Sequence, residues 1–441
     1  MITPHITTLS NGLRVIQIPM QTMKSVTVLA LTNTGSRYED PAQFGIAHFF
    51  EHMVFKGTNA YPTAQDLAIA VDSIGANFNA FTSKEYTGYY VHAAAQHMNL
   101  ALDVVSDMLL TPKLRQEDID REKGVIIEEI NMYVDTPPSH IANKFDQMVF
   151  KQSGLEHDIL GFKETVSSMT TADFESFLQK WYGHSNIVLV VAGDASEVGT
   201  PATLEKIEAA FSKKTNGKRE NSKEILEKSR GITNSKYELS ADTAIHIEHR
   251  ATEQAHFIAG WSALKRNDPR RFALGLLNTI VGSNMSSRLF TEVREKRGLC
   301  YYVNSSVDQY HDAGLFGASA GVDPKRIDEA IKVTLDEFYQ VASGKRPITS
   351  KELEMSKEYI AGKLVLGLED SQSVAQFFGM KELLLGEIET PESILEKYRA
   401  VQLDDIAALA AEIINSKQTK FAIIGPYTQE NDHDRFAALM N

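Results

Sequence analysis

The second half of the sequence repeats part of the pattern of the first half. The pattern Asp-Pro-x-x-Phe occurs at 40–44 and again at 268–272, an offset of 228 (268 − 40), and an amphipathic helical pattern follows each copy. Strand-like runs end at Gly193 and at Gly425, an offset of 232 (425 − 193). Chance similarity between short patterns is the alternative. Because 441 residues are too many for one hydrophobic core, the two similar offsets predict two related halves.

The middle of the chain is polar and predicts a linker. Residues 212–231 are rich in Lys, Glu, Ser and Asn and poor in core-forming side chains. We therefore expect an N-terminal domain at 1–211, a linker at 212–231 and a homologous C-terminal domain at 232–441. Helical and strand-like patterns are interleaved in both halves, which predicts an α+β fold.

Two hairpins are predicted in the first half. The dipeptide Asn11-Gly12 between two β-rich runs is typical of a hairpin turn. Strand-like runs at 78–82 and 86–92 flank a short polar turn. Each hairpin requires its two strands to be antiparallel neighbours in a sheet.

Charge and cysteine content exclude several classes of partner. The chain has 58 acidic and 45 basic residues, a formal net charge of −13, which argues against nucleic acid or an anionic membrane as the partner. Its single cysteine, Cys300, excludes an intramolecular disulfide and fits a reducing cytoplasm. We find no apolar run long enough for a membrane helix. A soluble, cytoplasmic protein is expected.

Residues 48–52 read His-Phe-Phe-Glu-His, the most informative motif for function. On a helix, with about 100° and 1.5 Å per residue, His48 and His52 lie about 40° apart around the axis and about 6 Å apart along it. Glu51 lies within about 60° of His48. The three side chains therefore converge, and imidazole and carboxylate are zinc ligands. A surface cluster without a metal is the alternative.

Local signals set the boundaries of this helix. Asp40 can cap its start, and Pro41 suits its first position. Lys56-Gly57 can end it with a residue in a left-handed conformation. The sequence thus predicts a helix from about residue 41 to residue 56.

A catalytic zinc takes three protein ligands, so two histidines need one more donor. In the helix predicted near 118–133, Glu122 and Glu129 lie on the same face as the apolar residues, together with Val125 and Tyr133, whereas Glu128 lies about 120° from Glu122. A carboxylate directed into a core is costly unless it is paired or coordinated. We predict Glu129 as the third ligand and Glu122 as a partner that orients a histidine through its free ring nitrogen.

Glu51 has two possible roles. It could be a metal ligand, or it could be the general base that deprotonates a water molecule whose pKa the metal lowers to about 7. The spacing favours the base, since the two histidines already share the metal. Ligand type alone does not separate zinc from manganese or cobalt.

The same positions in the second half lack this chemistry. At an offset of 228, Leu276, Thr279 and Ile280 stand where the first half has its two histidines and its glutamate. We therefore expect the metal site in one half only.

Across nearly its whole length, the chain resembles the pitrilysin family of H-x-x-E-H metallopeptidases (inverzincins), close to the processing-peptidase branch that includes the mitochondrial processing peptidase β subunit and its bacterial homologues. That family has a distal glutamate ligand whose usual spacing from the motif selects Glu129, at an offset of 77 from His52 (129 − 52). It also has a glutamate two helical turns earlier, which matches Glu122. The segments that carry the resemblance are His48-Phe49-Phe50-Glu51-His52-Met53-Val54-Phe55-Lys56-Gly57-Thr58 and Arg121-Glu122-Lys123-Gly124-Val125-Ile126-Ile127-Glu128-Glu129.

The resemblance implies how a substrate is held. Residues 74–82 resemble the family's active-site edge strand, with Asn79 and Ala80 as the contacts to an extended peptide. Residues 286–301 resemble the segment whose Arg and Tyr, here Arg294 and Tyr301, reach across to the active site of the other half, where they bind the substrate backbone and stabilise the oxyanion. A plain hairpin strand and a solvated helix are the alternatives.

The resemblance implies two homologous sandwich-like halves, each a mixed, largely antiparallel sheet packed with helices, which together form one half of a clamshell. The implied activity is a zinc (Zn²⁺) endopeptidase that acts on peptides or unfolded segments in a closed chamber. Related enzymes that fuse two such units are about twice as long, so pairing as a homodimer, or as a heterodimer with a related subunit, is expected. The alternatives are a non-catalytic or assembly subunit of a heteromeric protease and a non-peptidase zinc hydrolase.

Overall fold

The computed structural model describes residues 2–151, 153–212, 219 and 244–440. Dense internal contacts divide these residues into two compact units. Unit 1 comprises the described residues within 1–130, 157–234 and 364–390, and unit 2 comprises those within 131–156, 235–363 and 391–441.

Unit 1 is built on a six-stranded sheet in which β2 and β6 are parallel and the other neighbours antiparallel. Its strand order is β1-β2-β6-β3-β5-β4. Both predicted hairpins are confirmed, since β1 pairs with β2 and β4 pairs with β5. The strands are β1 (His5–Thr8), β2 (Arg14–Met20), β3 (Ser25–Thr32), β4 (Asn77–Thr82), β5 (Thr87–Ala94) and β6 (Ile187–Asp194).

Unit 2 is built on a five-stranded sheet of the order β7-β11-β8-β10-β9, in which only the pair of β7 and β11 is parallel among the described strands. This is the order of β2-β6-β3-β5-β4 in unit 1, with the same parallel pair. The duplicated α+β architecture is therefore confirmed. The strands are β7 (Ala244–His249), β8 (Ala255–Ser262), β9 (Cys300–Gln309), β10 (Gly314–Val322) and β11 (Lys420–Gly425).

Helices cover both sheets. No described helix combines the length and the apolar character needed to cross a membrane. A π-helix spans Phe290–Glu295. The α-helices are α1 (Ile46–Met53), α2 (Ala64–Asp72), α3 (Met98–Leu110), α4 (Gln116–Asp135), α5 (Pro137–Val149), α6 (Lys163–Ser168), α7 (Thr171–Trp181), α8 (Pro201–Phe211), α9 (Arg271–Val281), α10 (Ile327–Ala342), α11 (Ser350–Leu366), α12 (Ser371–Leu385), α13 (Pro391–Ala400), α14 (Leu403–Ile413) and α15 (Gln429–Leu439).

The central strand of unit 1 is buried on both faces. Val26 and Val28 of β3 belong to the core that includes α1 and α3, whereas Leu29 and Leu31 belong to a second core against α12. Successive strand residues point to opposite faces, so a continuous apolar run is what a strand between two helical layers requires. One layer of this unit contains the α1 helix and its histidines.

Each unit contains a helix from the other half of the sequence. Helix α12 packs on the sheet of unit 1, and α5 packs on the sheet of unit 2. The predicted contiguous domains, 1–211 and 232–441, do not include this exchange, which places segments 131–156 and 364–390 in the opposite unit. Of the predicted linker at 212–231, all but two positions lie outside the described residues.

The predicted start of the motif helix is wrong. Pro41 opens a short 3₁₀ turn that ends at Gln43, and α1 begins at Ile46, after Gly45. Gly45 has a φ of +96°, and an added Cβ would lie 2.4 Å from a backbone oxygen, so glycine is required there.

The acid that caps α1 is Glu39 and not Asp40, whose side chain makes no capping bond. The buried Glu39 carboxylate accepts hydrogen bonds from the backbone N–H groups of Gly45 and Ala47, at 2.7 and 2.8 Å. At the other end, α1 ends at Met53, and a 3₁₀ turn continues to Lys56. Gly57 follows with a φ of +118° and a ψ of 161°, so a glycine with positive φ does end this segment, but its conformation is not the predicted left-handed helical one.

Candidate metal centre

Helix α1 presents two imidazole rings on one face. His48 and His52 are one turn apart, and their ring centroids are 4.7 Å from each other. Phe49, Phe50 and Met53 are fully buried in the core of unit 1. Because these apolar side chains fix the rotation of the helix about its axis, they also fix the direction of the histidine face.

A carboxylate from α4 completes a group of three donors. Oε2 of Glu129 lies 3.6 Å from Nε2 of His48 and 3.5 Å from Nε2 of His52. Ligand atoms held tetrahedrally by zinc at about 2.0–2.1 Å lie about 3.4 Å from one another. The donors, all within 4.8 Å of each other, therefore fit a zinc ion, and two imidazoles with one carboxylate form a common catalytic zinc set.

Two neighbouring glutamates of α4 lie on different faces of the helix. Glu129 is half-buried and directed toward the histidines, whereas Glu128 is exposed. The predicted face is too wide, however, because Val125 and Tyr133 are 51% and 36% exposed. Burial is concentrated on a narrower stripe that includes Glu122.

Glu122 bridges His52 and a lysine. Its Oε1 lies 3.0 Å from Nδ1 of His52, and its Oε2 lies 2.5 Å from Nζ of Lys56. A carboxylate on Nδ1 favours the tautomer whose Nε2 lone pair is free for a metal, and it increases the basicity of the ring. The Nδ1 atom of His48, in contrast, is buried and has no hydrogen-bond partner among the described residues.

The site's charges keep the two histidines in different protonation states when no metal is bound. Burial, together with the positive charge of His52, lowers the pKa of His48 to about 4. Burial also acts to lower the pKa of His52, but the carboxylates of Glu122 and Glu129 outweigh it and raise that pKa to about 9. Metal ligation requires neutral imidazoles, so metal uptake displaces the proton on His52.

Glu51 is not part of this group of three donors, but it is close enough to His52 and Glu129 to interact with both. Its Oε2 accepts a hydrogen bond of 2.5 Å from Oγ1 of Thr82, at the end of β4. Burial raises the pKa of Glu51, and the nearby Glu129 acts in the same direction, while Thr82 and His52 oppose them. Sequence reasoning missed Thr82, although it lies in the edge-strand segment that includes Asn79.

Strand β4 lies at the edge of its sheet, next to α1. It pairs with β5 on one side, and the described residues provide no strand on the other. Asn79 is exposed, and its side-chain oxygen accepts the backbone N–H of the buried Ala80 at 2.9 Å. The outer edge can therefore accept an added strand.

Arg294 and Tyr301 lie together in unit 2. Nη1 of Arg294 donates a hydrogen bond of 2.6 Å to the backbone oxygen of Tyr301. The guanidinium lies 5.0 Å from the ring centroid of Phe290 and 5.5 Å from that of Tyr301, so Arg294 is held and is not a freely solvated charge. Tyr301 is 74% exposed. That both side chains reach the active site of the other half stays a prediction.

Two family models match consecutive parts of the chain. The model described as insulinase (peptidase family M16) matches residues 14–163, and the model described as the peptidase M16 inactive domain matches residues 168–360. An uncharacterized zinc protease of Streptomyces coelicolor is 36% identical over 420 residues, which cover 95% of this chain and 89% of that protein. This protein belongs to peptidase family M16.

The chain is similar to a further zinc protease and to two solved structures. An uncharacterized zinc protease of Bacillus subtilis is 35% identical over 95% of this chain and 97% of its own length. A protease from Helicobacter pylori of known crystal structure has a TM-score of 0.87 at 21% identity, and the match covers 97% of this chain and 100% of that one. A Pseudomonas fluorescens structure described as a peptidase M16 inactive domain has a TM-score of 0.84 at 18% identity, with 97% and 98% covered. At these identities the two structures show the fold alone, whereas the zinc protease names support a zinc-dependent protease.

Proposed function

We propose that this M16 protein is a zinc-dependent endopeptidase that hydrolyses peptides or unfolded polypeptide segments. The observation that carries the proposal is the convergence of His48, His52 and Glu129 on one point, with the carboxylate of Glu51 beside it. Two imidazoles and a carboxylate at the spacing of metal ligands, with a further carboxylate near them, are typical of a catalytic zinc site.

Each group has a distinct task in this reaction. A bound zinc ion supplies Lewis acidity and lowers the pKa of a water molecule to about 7. Glu51 accepts a proton from the attacking water and later donates it to the leaving amine. Glu122 keeps the ring of His52 in position.

The substrate is proposed to bind as an added strand. An extended peptide would form backbone hydrogen bonds with the outer edge of β4, at Asn79 and Ala80. Arg294 and Tyr301 would hold the substrate backbone and stabilise the negative charge on the scissile carbonyl oxygen. A closed chamber formed with a second copy or a related subunit, in the cytoplasm, completes the proposal.

The test uses the purified full chain and quenched fluorescent peptides. Cleavage should require zinc, stop when a chelator removes it and return when zinc is restored. The E51Q variant should bind zinc with wild-type stoichiometry and lose at least about 100-fold in cleavage rate. If the zinc-loaded wild-type chain does not cleave peptides, or if E51Q cleaves them at the wild-type rate, the proposal is wrong; zinc binding without cleavage by the wild-type chain would indicate an assembly subunit instead.

A further inference from the structure

Thr82 connects the proposed substrate strand to the proposed general base. It is the last residue of β4, and its Oγ1 donates to Oε2 of Glu51 at 2.5 Å. Such a distance is typical of a hydroxyl that donates to an ionised carboxylate, which is among the stronger hydrogen bonds in proteins. The contact joins two elements that are 31 residues apart in sequence.

The hydroxyl of Thr82 has little freedom to move. Its backbone pairs with Thr87 of β5, and Oγ1 of the fully buried Thr87 donates to the backbone oxygen of Thr34 at 2.9 Å. Threonine is also β-branched and therefore stiff at χ1. The hydroxyl is thus a fixed point from which the longer and more flexible side chain of Glu51 is held.

The orientation of Glu51 matters because Glu51 is the proposed proton acceptor. The bond from the strand to Oε2 fixes the position of the carboxylate, and among the described residues no hydrogen-bond donor to Oε1 is seen, so Oε1 is left for a proton. Small displacements of a catalytic group can cost about 100-fold in rate.

We infer that Thr82 is a positioning residue that orients Glu51 and links its orientation to the strand on which the peptide binds. This inference rests on the proposed peptidase function. Thr82 acts through Glu51 and does not itself react. A peptide added to β4 would therefore be aligned by the same strand that holds the base.

Unit 2 shows what a purely structural link of this kind looks like. Oγ of Ser305, on the edge strand β9, donates to Oδ1 of Asn278, on α9, at 2.6 Å. That bond joins the corresponding helix and edge strand without a carboxylate. The experiment must therefore separate catalysis from stability.

The test compares T82V, T82A and T82S with the wild type and with T8V, a matched control on the opposite edge strand β1. For each protein, kcat and KM on a quenched peptide, zinc stoichiometry and Tm are measured. T82V and T82A should lower kcat by about 10- to 100-fold, change KM by less than about twofold and leave zinc stoichiometry unchanged. T82S retains the hydroxyl and should stay within about threefold of the wild-type kcat, and T8V should match the wild type.

Three results would overturn the inference. The first is a wild-type kcat in both T82V and T82A, and the second is a loss of kcat in T82S as large as that in T82A. The third is a loss of kcat in T82A that is accompanied by a matching loss of bound zinc or of folded protein, which would indicate a structural role. A wild-type chain that does not cleave peptides with zinc bound would instead reject the proposed function, so the two failures are distinguishable.

Discussion

The helices α1 and α9 occupy the same place in two sheets of the same strand order, yet only one carries metal-binding chemistry. Helix α1 follows the Asp-Pro-x-x-Phe segment at 40–44, and α9 begins within the same pattern at 268–272. Both helices bury an apolar face. In α9, Leu276 is fully buried and Ile280 nearly so. The hydroxyl of Thr279, at the position of Glu51, donates to the backbone oxygen of Gly275 at 2.9 Å.

The comparison shows that fold and chemistry depend on different residues. The apolar pattern and the strand order are shared, so they specify the architecture of both units. Three side chains on α1, together with Glu129 on α4, account for the difference in chemistry. Among the described residues, no second group of histidines, cysteines and acids converges as this one does.

The largest expected effect on activity comes from replacing Glu51, the residue of α1 that corresponds to Thr279 of α9. E51Q removes the proton acceptor while preserving shape, so kcat on a quenched peptide should fall by about 10²- to 10⁴-fold with zinc retained. T279V, the matched change on α9, should leave kcat within about twofold, because among the described residues the Thr279 hydroxyl donates only to its own helix. Equal losses in the two variants would remove the functional distinction between the units.

The third ligand gives the next effect. E129Q should weaken zinc binding by more than about 100-fold, since even groups that only hydrogen-bond to a ligand are worth about 10- to 100-fold. The neighbouring exposed acid provides the control, and E128Q should bind zinc as the wild type does. Competition with a zinc-binding dye measures both affinities. Weaker zinc binding by E128Q than by E129Q would contradict the assignment of Glu129 as the ligand.

A smaller effect is expected for the residue that orients His52. E122A removes the carboxylate 3.0 Å from Nδ1 of His52 and should weaken zinc binding by about 10- to 100-fold. Replacement of Lys56 by Met, which removes only the far partner of Glu122, should weaken it less. Wild-type affinity in E122A would show that packing alone orients the ring.

The smallest expected effect is on the stability of unit 2. It concerns Glu292, which lies in the same π-helix as Arg294. Hydrogen bonds from Lys296 and Arg297 lower the pKa of the buried Glu292 to about 2. A carboxyl with a depressed folded pKa stabilises the protein above its unfolded pKa, near 4.5, and loses that contribution as the pH falls toward 2. E292Q should lower Tm at pH 7 by several degrees, at about 2–4 °C per kcal/mol.

The pH dependence distinguishes this explanation from a general packing defect. Thermal unfolding of E292Q, followed by circular dichroism, should show a smaller loss of Tm between pH 4.5 and pH 2 than the wild type. The exposed neighbour provides the control, and E295Q should follow the wild-type curve. Parallel curves for E292Q and the wild type would contradict the assignment of the low pKa to Glu292.

The periodicity of helices and strands predicted those features of the fold and of the site that depend on local geometry alone. The convergence of His48 with His52 follows from the rise and twist of one helix, and the direction of Glu129 follows from the apolar face of another. The hairpin at Asn11-Gly12 follows from turn chemistry. Each of these needed only a short window of sequence.

Tertiary contacts account for what the sequence did not reveal. Glu39 caps α1 only because Gly45, with its positive φ, turns the chain into α1 and brings its backbone N–H within reach of the carboxylate. The bond from Thr82 to Glu51 depends on how β4 packs against α1. Helices α5 and α12 each pack on a sheet whose strands come from the other half of the sequence, so their exchange between the units depends on tertiary packing. No local pattern encodes these three features.

Anomalous diffraction at the zinc edge, on crystals of the zinc-loaded protein, tests the central claim most directly. We expect one strong peak in unit 1, about 2.0–2.1 Å from Nε2 of His48, Nε2 of His52 and a carboxylate oxygen of Glu129. A zinc peak elsewhere, or a Glu129 carboxylate directed away from both rings, would contradict the account.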